Sequence, residues 1–351
     1  MKILLAERIN SANQYVEELA KAYQAAGHEV IFDVQNFLFS SFLPDVVHIQ
    51  WPEAIYKWRH KLKATEAKDL IRERLEFYTD KGVPIVYTAH NLLPHGTVSD
   101  LDQEIYELVM SYVDVVIHHG SRSIELLKDR FQFKATVKHV IAPHGPYVAE
   151  QVAEGAARKS FQLPKDRMVY LNFGRIRPNK GFDFTNAVFR KFAGQEPFLF
   201  TIGPKLMSRK ERIISKLKDK IPGINQGRTK DSLTVLRDIS HDEISYIFSA
   251  TDVVFMGHLE GLNSGVLAQA ISQGKPVVYP DLGNFREQAE GWEWQRVYEP
   301  GNVDSAAKAI REMNQRITEM KAQGMAPSNA LWLEKNSWGH HVNQVLEAVS
   351  A

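Results

Sequence analysis

Histidines follow several short apolar runs in this chain, at positions where buried strands are expected to end. His90 comes directly after the run Pro84 to Ala89, where an imidazole can donate a hydrogen bond to a substrate hydroxyl or move a proton. His95 lies five residues further on and is a second candidate for that role. The adjacent pair His118 and His119 invites a metal interpretation, but neighbouring side chains diverge and no carboxylate stands at ligand spacing. The sequence therefore predicts a hydroxyl-binding or proton-moving group here, and no metal site.

Two cations stand at the entrance of a predicted helix in the segment Gly174 to Gly181. Gly174 allows the backbone to approach a ligand closely. Arg175 and Lys180 add fixed positive charge beside free backbone N–H groups. This combination suits a diphosphate.

A second phosphate-compatible turn follows the apolar run Asp252 to Met256. Asn263, Ser264 and Gly265 cap an apolar helix whose first N–H groups can hold phosphate. Glu260 stands just before this cap. We expect it to accept hydrogen bonds from sugar hydroxyls, because a carboxylate beside bound phosphate would repel it. Two such turns in one half of the chain are more telling than either turn alone.

A polar loop, Glu7 to Asn13, follows the first predicted strand and contains Asn10, Ser11 and Asn13. It is either a plain N-capping turn or a loop that contacts a ligand. It lacks the Gly-x-Gly-x-x-Gly pattern of dinucleotide-binding enzymes, which counts against a nicotinamide-dependent dehydrogenase.

Strands alternate with amphipathic helices along the whole chain, which predicts an α/β fold of two doubly wound, Rossmann-like parallel-sheet domains. The pattern restarts at Met168, after a polar, Ala- and Glu-rich stretch from Gly145 to Lys165 that is the predicted linker. We therefore predict an N-terminal domain over 1–150, a second domain over 151–325 and a closing helix within 326–351. The predicted strands of the two halves are Lys2–Leu5, Glu29–Val34, Asp45–Gln50, Pro84–Ala89, Val113–His118, Val137–Ala142, Met168–Phe173, Pro197–Ile202, Leu233–Leu236, Asp252–Met256 and Pro276–Tyr279.

Composition narrows the function classes. The 351 residues include 43 Lys and Arg, 42 Asp and Glu and no Cys, which gives a net charge of +1. Such a balance argues against nucleic acid as the main partner, and the lack of Cys excludes disulfides and thiol nucleophiles. No apolar run is long enough to span a membrane, and the start shows no signal-peptide core, so we expect a cytoplasmic protein.

The chain resembles glycosyltransferases of the GT-B fold, in particular the large retaining group called glycosyltransferase family 4, or group 1. The best-matching stretches are "NFGRIRPNKG", "SYIFSATDVVFMGHLEGLNSGVLAQAISQGKPVVYPDLGNFRE" and "YEPGNVDSAAKAI". The resemblance implies two domains facing each other across a cleft. The first binds the acceptor, the second binds a nucleotide-sugar, and the final helix packs back on the first together with Trp332 and Trp338.

The resemblance also implies roles by position. Arg175 and Lys180 would neutralise the leaving diphosphate, Glu260 would touch the donor sugar, and the amides of Ser264 and Gly265 would hold phosphate. His90 would contact the transferred sugar near the reacting centre. The function implied is transfer of a hexose from a UDP- or GDP-sugar to a glycan or lipid-linked saccharide in surface polysaccharide or glycoconjugate assembly, with retention and without a metal or other cofactor.

The chain departs from the family at one acidic position. The family usually carries two glutamates separated by seven residues. Alignment on Gly274 places Gln269 at the second, ribose-contacting position and Gly261 at the first, so Glu260 serves only with one extra residue between them. A Gln keeps a hydrogen-bond acceptor but loses the charge.

Other interpretations remain open at the level of the sequence. A nucleotide-sugar epimerase or a phosphorylase would use the same diphosphate cations, and the altered glutamate pair leaves room for a non-catalytic sugar-nucleotide-binding subunit. The basic, aromatic segment around Lys57 to Lys63 and a second basic run from Arg209 to Lys220 are either solvated helix faces or contacts with anionic lipid at the inner face of the membrane.

Overall fold

A computed structural model describes residues 1–7, 14–57, 64–94, 96, 98–147, 150, 152–204 and 226–350. It divides into two compact units, one comprising Met1–Tyr147 and Glu334–Ala351, the other Val148–Leu333. The division after Tyr147 lies inside the predicted linker. That linker is not wholly irregular, because it contains a helix, Glu154–Ser160, that the sequence analysis missed.

The first unit is built on a sheet of six parallel strands in the order β2-β1-β3-β4-β5-β6. Strands β3, β4 and β5 are buried along their whole length, as expected of continuous apolar runs covered on both faces. The strands are β1 (Lys2–Leu5), β2 (Glu29–Phe32), β3 (Val46–Ile49), β4 (Ile85–Thr88), β5 (Val115–His118) and β6 (Lys138–Ile141).

Within the described residues, six helices connect these strands. The predicted strand Glu29–Val34 is wrong at its end, because Val34 begins a helix. Asp33 turns the chain there with φ of 95°, and its Oδ1 accepts a hydrogen bond from the Gln35 N–H at 3.0 Å. The helices are α1 (Tyr15–Ala25), α2 (Val34–Phe39), α3 (Pro52–Lys57), α4 (Ala64–Asp80), α5 (Asp100–Tyr112) and α6 (Arg122–Arg130).

The second unit has a seven-stranded sheet in the order β13-β12-β11-β7-β8-β10-β9. All pairs are parallel except β9 with β10 at one edge, which is antiparallel. The strands are β7 (Val169–Phe173), β8 (Phe198–Ile202), β9 (Gln226–Arg228), β10 (Ser232–Val235), β11 (Val253–Phe255), β12 (Val277–Pro280) and β13 (Gln295–Tyr298). The predicted class of two doubly wound parallel α/β domains is confirmed.

Helices of this unit pack against its sheet. Helix α7 is fixed by an ion pair between the buried Arg158 and Asp252, with Nη2 and Oδ2 2.6 Å apart. The helices are α7 (Glu154–Ser160), α8 (Phe182–Arg190), α9 (His241–Ser249), α10 (Gly265–Ser272), α11 (Phe285–Gln288), α12 (Val303–Ala322) and α13 (Ala330–Lys335). The sequence also predicts a helix over Ser208–Lys220, and this segment lies outside the described residues.

The closing helix α14 (Trp338–Ser350) belongs to the first unit. The Trp338 Nε1–H donates to the carbonyl of Pro146 at 2.7 Å. Gly145 lies so close to the indole that a Cβ there would stand 2.1 Å from Trp338 Cδ2. Trp332, expected to pack on the N-terminal domain, lies instead in the second unit, where its Nε1–H donates to the Gln288 carbonyl at 2.8 Å.

Candidate functional site

The turn after β7 places its backbone tightly against the end of β8. Gly174, with φ of 109°, donates its N–H to the Ile202 carbonyl at 3.1 Å. A Cβ on Gly203 would lie 1.9 Å from the Gly174 carbonyl oxygen. Only a glycine at Gly203 therefore permits this approach, and the turn carries Arg175 outward, where it is exposed.

A second close approach joins this turn to the loop that follows β11. Gly181, with φ of 59°, begins α8, and a Cβ there would stand 1.9 Å from the Gly257 carbonyl oxygen. The Leu259 N–H also donates to the Asn179 carbonyl at 2.9 Å. These two backbone contacts hold the loops edge to edge, which brings the side chains that follow each strand into one place.

Lys180 and His258 meet where the loops touch. The Lys180 Nζ lies 2.5 Å from the His258 Nε2, and His258 is 4% exposed. Burial, followed by the positive charge of Arg177, lowers the pKa of Lys180 to about 8. The residues around this small depression are Asn172, Phe173, Gly174, Arg175, Ile176, Lys180, Phe182, Thr201 and His258. The structure thus brings together three of the predicted site residues, Gly174, Arg175 and Lys180.

Sequence reasoning missed His258 and Arg177, although both lie inside the turns it singled out. Burial and the neighbouring charge of Arg175 lower the pKa of Arg177. Three cationic side chains on one short turn form a field that favours a multiply charged anion. The spacing Arg-x-Arg-x-x-Lys in the first turn was the available signal for Arg177. No local signal pairs His258 with a lysine 78 positions away.

The predicted phosphate cap at α10 is only partly available. The Ser264 Oγ accepts the Leu267 N–H at 3.3 Å, which makes Ser264 the expected N-cap. The Ser264 amide, however, donates to the Gln288 Oε1 at 2.9 Å, so it would have to leave this partner to hold phosphate. Gly265 is exposed and remains the candidate amide.

The other predicted donor residues are spread along the same loop and helix. The Asn263 Oδ1 accepts from the Asn284 Nδ2 at 2.8 Å, which makes Asn263 a brace between two loops. Glu260 is exposed and does not line the depression around Lys180. Gln269 is 5% exposed, and its buried Nε2 has no hydrogen-bond partner among the described residues. A buried amide N–H without an acceptor costs free energy, so this group is available to donate a hydrogen bond to a ligand.

In the first unit, His90 lies two residues after the end of β4, directly after Ala89. Its Nε2 lies 2.8 Å from the Gln50 Oε1, and its ring stacks on Trp51 with centroids 4.3 Å apart. Tyr15 meets the same ring edge-on at 4.5 Å. Burial and then the neighbouring His144 hold the pKa of His90 well below its usual range, so the ring is neutral near pH 7.

Four more buried histidines surround this position: His48, His119, His144 and His341. His119 and Gln50 each keep one polar atom without a partner within the described part of the chain, Nε2 in both cases. Because His119 donates its Nδ1–H to the Ala142 carbonyl at 3.0 Å, its Nε2 is an acceptor, whereas the Gln50 Nε2 is a donor.

Several predicted residues lie outside the described part of the chain. They are Asn10, Ser11, Asn13, His95, the basic run Arg209 to Lys220, and all of the Lys57 to Lys63 segment except Lys57. Lys57 Nζ lies 2.6 Å from the Asp102 Oδ1. Within the described ranges no three His, Asp or Glu side chains group to hold a metal ion, and no helix there is long and apolar enough to cross a membrane.

Two parallel-sheet α/β units of six and seven strands give the chain the fold of GT-B glycosyltransferases. Residues 154–322 match the family model described as Glycosyl transferases group 1. This match covers most of the second unit, and it confirms the resemblance found in the sequence.

Relatives and solved structures are similar to this chain over most of its length. Two curated relatives from Xanthomonas campestris pv. campestris are both GDP-mannose:glycolipid 4-beta-D-mannosyltransferases. They are 25% and 26% identical to this chain over 84% of it and 78% of their own length. The Anabaena HepE structure in complex with UDP and glucose is 16% identical, covers 100% of this chain and 99% of its own, and has a TM-score of 0.68. A sucrose-phosphate synthase from Thermosynechococcus elongatus is 16% identical, covers 99% and 94%, and has a TM-score of 0.65.

Proposed function

We propose that this chain transfers a hexose from a nucleoside-diphosphate sugar to a glycan or lipid-linked saccharide, in the assembly of a surface polysaccharide or glycoconjugate. The observation that carries the proposal is the depression beside Gly174, where Arg175, Arg177 and Lys180 lie on one turn. Charge develops on the diphosphate as the sugar leaves, and positioned cations stabilise that charge more than they stabilise the intact donor.

The donor is proposed to be a GDP- or UDP-sugar. The curated relatives carry GDP-mannose in their names, and HepE was crystallised with UDP. Thermal unfolding with GDP, UDP, GDP-mannose or UDP-glucose tests the choice, because a ligand at about 100 times its Kd adds roughly 2.7 kcal/mol to the folded state. Stabilisation by neither nucleotide would refute the donor site.

Turnover needs a separate assay, because binding does not prove transfer. The purified chain is incubated with the stabilising nucleotide-sugar and a lipid-linked saccharide, and the products are separated. A longer saccharide supports transfer. A sugar phosphate would indicate a phosphorylase, an epimerised nucleotide-sugar an epimerase, and tight binding without any product a non-catalytic subunit.

His90 is proposed to contact the transferred sugar on the acceptor side. Its support is its place just after β4, at the carboxyl end of the sheet, with its ring packed against Trp51 and Tyr15. His90→Ala removes the ring and is expected to lower kcat by about 100-fold, the scale of one positioned polar group. Asp45→Asn, at a distant surface carboxylate that accepts the Lys2 N–H at 2.6 Å, is the matched control and should leave kcat unchanged.

Retention of the anomeric configuration and independence from metal are proposed from the family resemblance, with a carboxylate role for Glu260 facing the sugar. Proton NMR of the product, made from a donor of known anomer, decides the first, and an inverted product would refute retention. Activity that persists in excess EDTA supports the second, while loss of activity that Mg²⁺ restores would overturn it.

Contact with an anionic membrane surface is proposed for the Lys57 to Lys63 region. The support is the basic composition of this segment and the glycolipid in the names of the curated relatives. Co-sedimentation with phosphatidylglycerol vesicles at low salt tests it, with phosphatidylcholine vesicles as the control. Absence of binding to the anionic vesicles ends the idea.

A further inference from the structure

We propose that His258 is a positioning residue for Lys180, and that its neutral imidazole keeps that lysine charged and aimed for the diphosphate. The inference rests on the proposed function, since it assigns a partner to a side chain of the same site. It adds a residue that the sequence pattern does not mark, from a different loop of the fold.

The geometry leaves His258 one way to serve Lys180. An ammonium has only donors, so the short contact between Lys180 Nζ and His258 Nε2 requires the imidazole nitrogen to accept. The proton of the neutral ring then lies on Nδ1. One of the three N–H bonds of Lys180 is directed to the ring, which leaves two for the oxygens of a diphosphate.

The ring itself is held from several sides. It meets Phe285 edge-on, with centroids 5.6 Å apart. The preceding Gly257 fits under α8, where a Cβ would lie 2.0 Å from the Thr185 Oγ1 and clash. A lysine on a flexible four-carbon stem thereby gains an anchor from a rigid loop, which lowers the entropy that donor binding must remove.

The charges around Lys180 explain why it needs an acceptor. On its own turn stand Arg175 and Arg177, both cationic, and the second of them opposes the charge of Lys180. From the facing loop come His258 and, two residues on and exposed, Glu260. The other side chains around the depression carry no charge. Burial and then the charge of Arg177 favour neutral Lys180, whereas the imidazole acceptor favours the ammonium.

Replacement of His258 should therefore shift a pH profile rather than only reduce activity. The experiment titrates GDP and UDP into the full-length protein between pH 6 and pH 9 by calorimetry, for wild type, His258→Leu and His258→Gln. Wild-type affinity should fall above about pH 8, where Lys180 loses its proton. His258→Leu, which keeps bulk but has no acceptor, should move this fall down by about one pH unit, the scale of one hydrogen bond to a charged group.

The controls separate positioning from simple packing. At pH 6.5 the affinity of His258→Leu should lie within about threefold of wild type, because Lys180 is then charged in both. His258→Gln, whose amide oxygen can accept from Lys180, should restore the wild-type profile. If His258→Leu does not fold, His258→Asn replaces it. The Asn side chain is too short for its oxygen to reach Lys180, so the pH at which affinity falls should shift down in the same way.

Two results would overturn the inference, and a third would remove its basis. A loss of affinity by the same factor at every pH would make His258 a packing residue, and an unchanged profile in His258→Leu would show that Lys180 needs no partner. Either result, combined with strong weakening in Lys180→Ala, leaves the proposed diphosphate site intact. Wild-type affinity in Lys180→Ala would instead refute the site and the inference together.

Discussion

The buried histidines of the first unit predict that mild acid destabilises it. Burial lowers the pKa of His48 to about 3 and those of His144 and His341 to about 4, from an ordinary value of 6.5. The unfolded chain takes up protons at these rings near pH 6.5, whereas the folded unit keeps them neutral. The free energy of unfolding is therefore unaffected above that pH and falls as the pH drops from 6.5 toward 4.

The size of this effect follows from proton linkage. Between pH 7 and pH 5, a histidine that stays neutral when folded and titrates near pH 6.5 when unfolded lowers the free energy of unfolding by about 2 kcal/mol. Three such rings together remove about 6 kcal/mol. That loss is comparable with the whole stability of many domains, roughly 5–15 kcal/mol.

Urea unfolding of the full chain at pH 7, 6 and 5 measures it. Tryptophan fluorescence is a suitable probe, because Trp51 stacks on His90 and Trp338 lies 5.6 Å from His341, centroid to centroid. His341→Gln should reduce the pH dependence by about 2 kcal/mol, the share of one ring. His340→Gln, at the exposed neighbouring position, should leave the dependence at its full size. Equal stability at pH 5 and pH 7, or an unchanged dependence in His341→Gln, would refute the reasoning.

Three further predictions concern the second unit. Arg175→Ala should lower kcat/KM for the nucleotide-sugar by about 100-fold, the scale of a charge-assisted contact to phosphate, in a radiolabelled transfer assay. Gly181→Ala should lower the free energy of unfolding of the unit in urea by at least about 2 kcal/mol, because of its clash with Gly257 and its positive φ. The control Gly155→Ala, in a helix with open space around it, should be neutral or stabilising. Gln269→Glu should tighten nucleotide binding several-fold in calorimetry, since a carboxylate accepts more strongly from ribose hydroxyls; weaker binding would show a site built around the amide.

The elements that could be predicted are those whose signal is local. Strand β4, Ile85–Thr88, falls inside the predicted Pro84–Ala89, because a strand buried on both faces is a continuous apolar run. The sequence between two predicted strands also predicts a helix over Asp100–Tyr112, and helix α5 has the same bounds. Its start is fixed by a capping box between Ser99 and Asp102, a signal carried by two residues three positions apart.

The long helix α4 shows a different kind of miss. Its buried Ile71, Leu75 and Tyr78 stand at helical spacing, so the periodicity was present in the sequence. The neighbouring basic segment was interpreted by its charge instead. The helical spacing of the apolar residues was the decisive signal for α4, and the charge of the neighbouring segment carried no information about it.

The contacts of the candidate site are likewise of two kinds, those local in sequence and those between distant residues. The arginines and Lys180 share one turn, so their clustering follows from adjacency. The capture of the Ser264 amide by Gln288 joins residues 24 positions apart, and it depends on where α11 packs against α10. Such pairings are decided by tertiary packing, which leaves no trace in the spacing of either partner.

The two units set opposite limits on the pH at which the chain works. In the first unit, burial keeps the histidines neutral, and this lowers the free energy of unfolding below about pH 6.5. In the second, burial and neighbouring cations bring the pKa of Lys180 down to about 8, so the proposed diphosphate site loses a charge above that pH. The acid limit is therefore a loss of folded protein and the alkaline limit a loss of donor affinity.

The two limits differ in kind, because saturating donor should restore activity on the alkaline side, where affinity is lost. On the acid side the donor can only draw back unfolded chains, so lost activity should track the unfolded fraction.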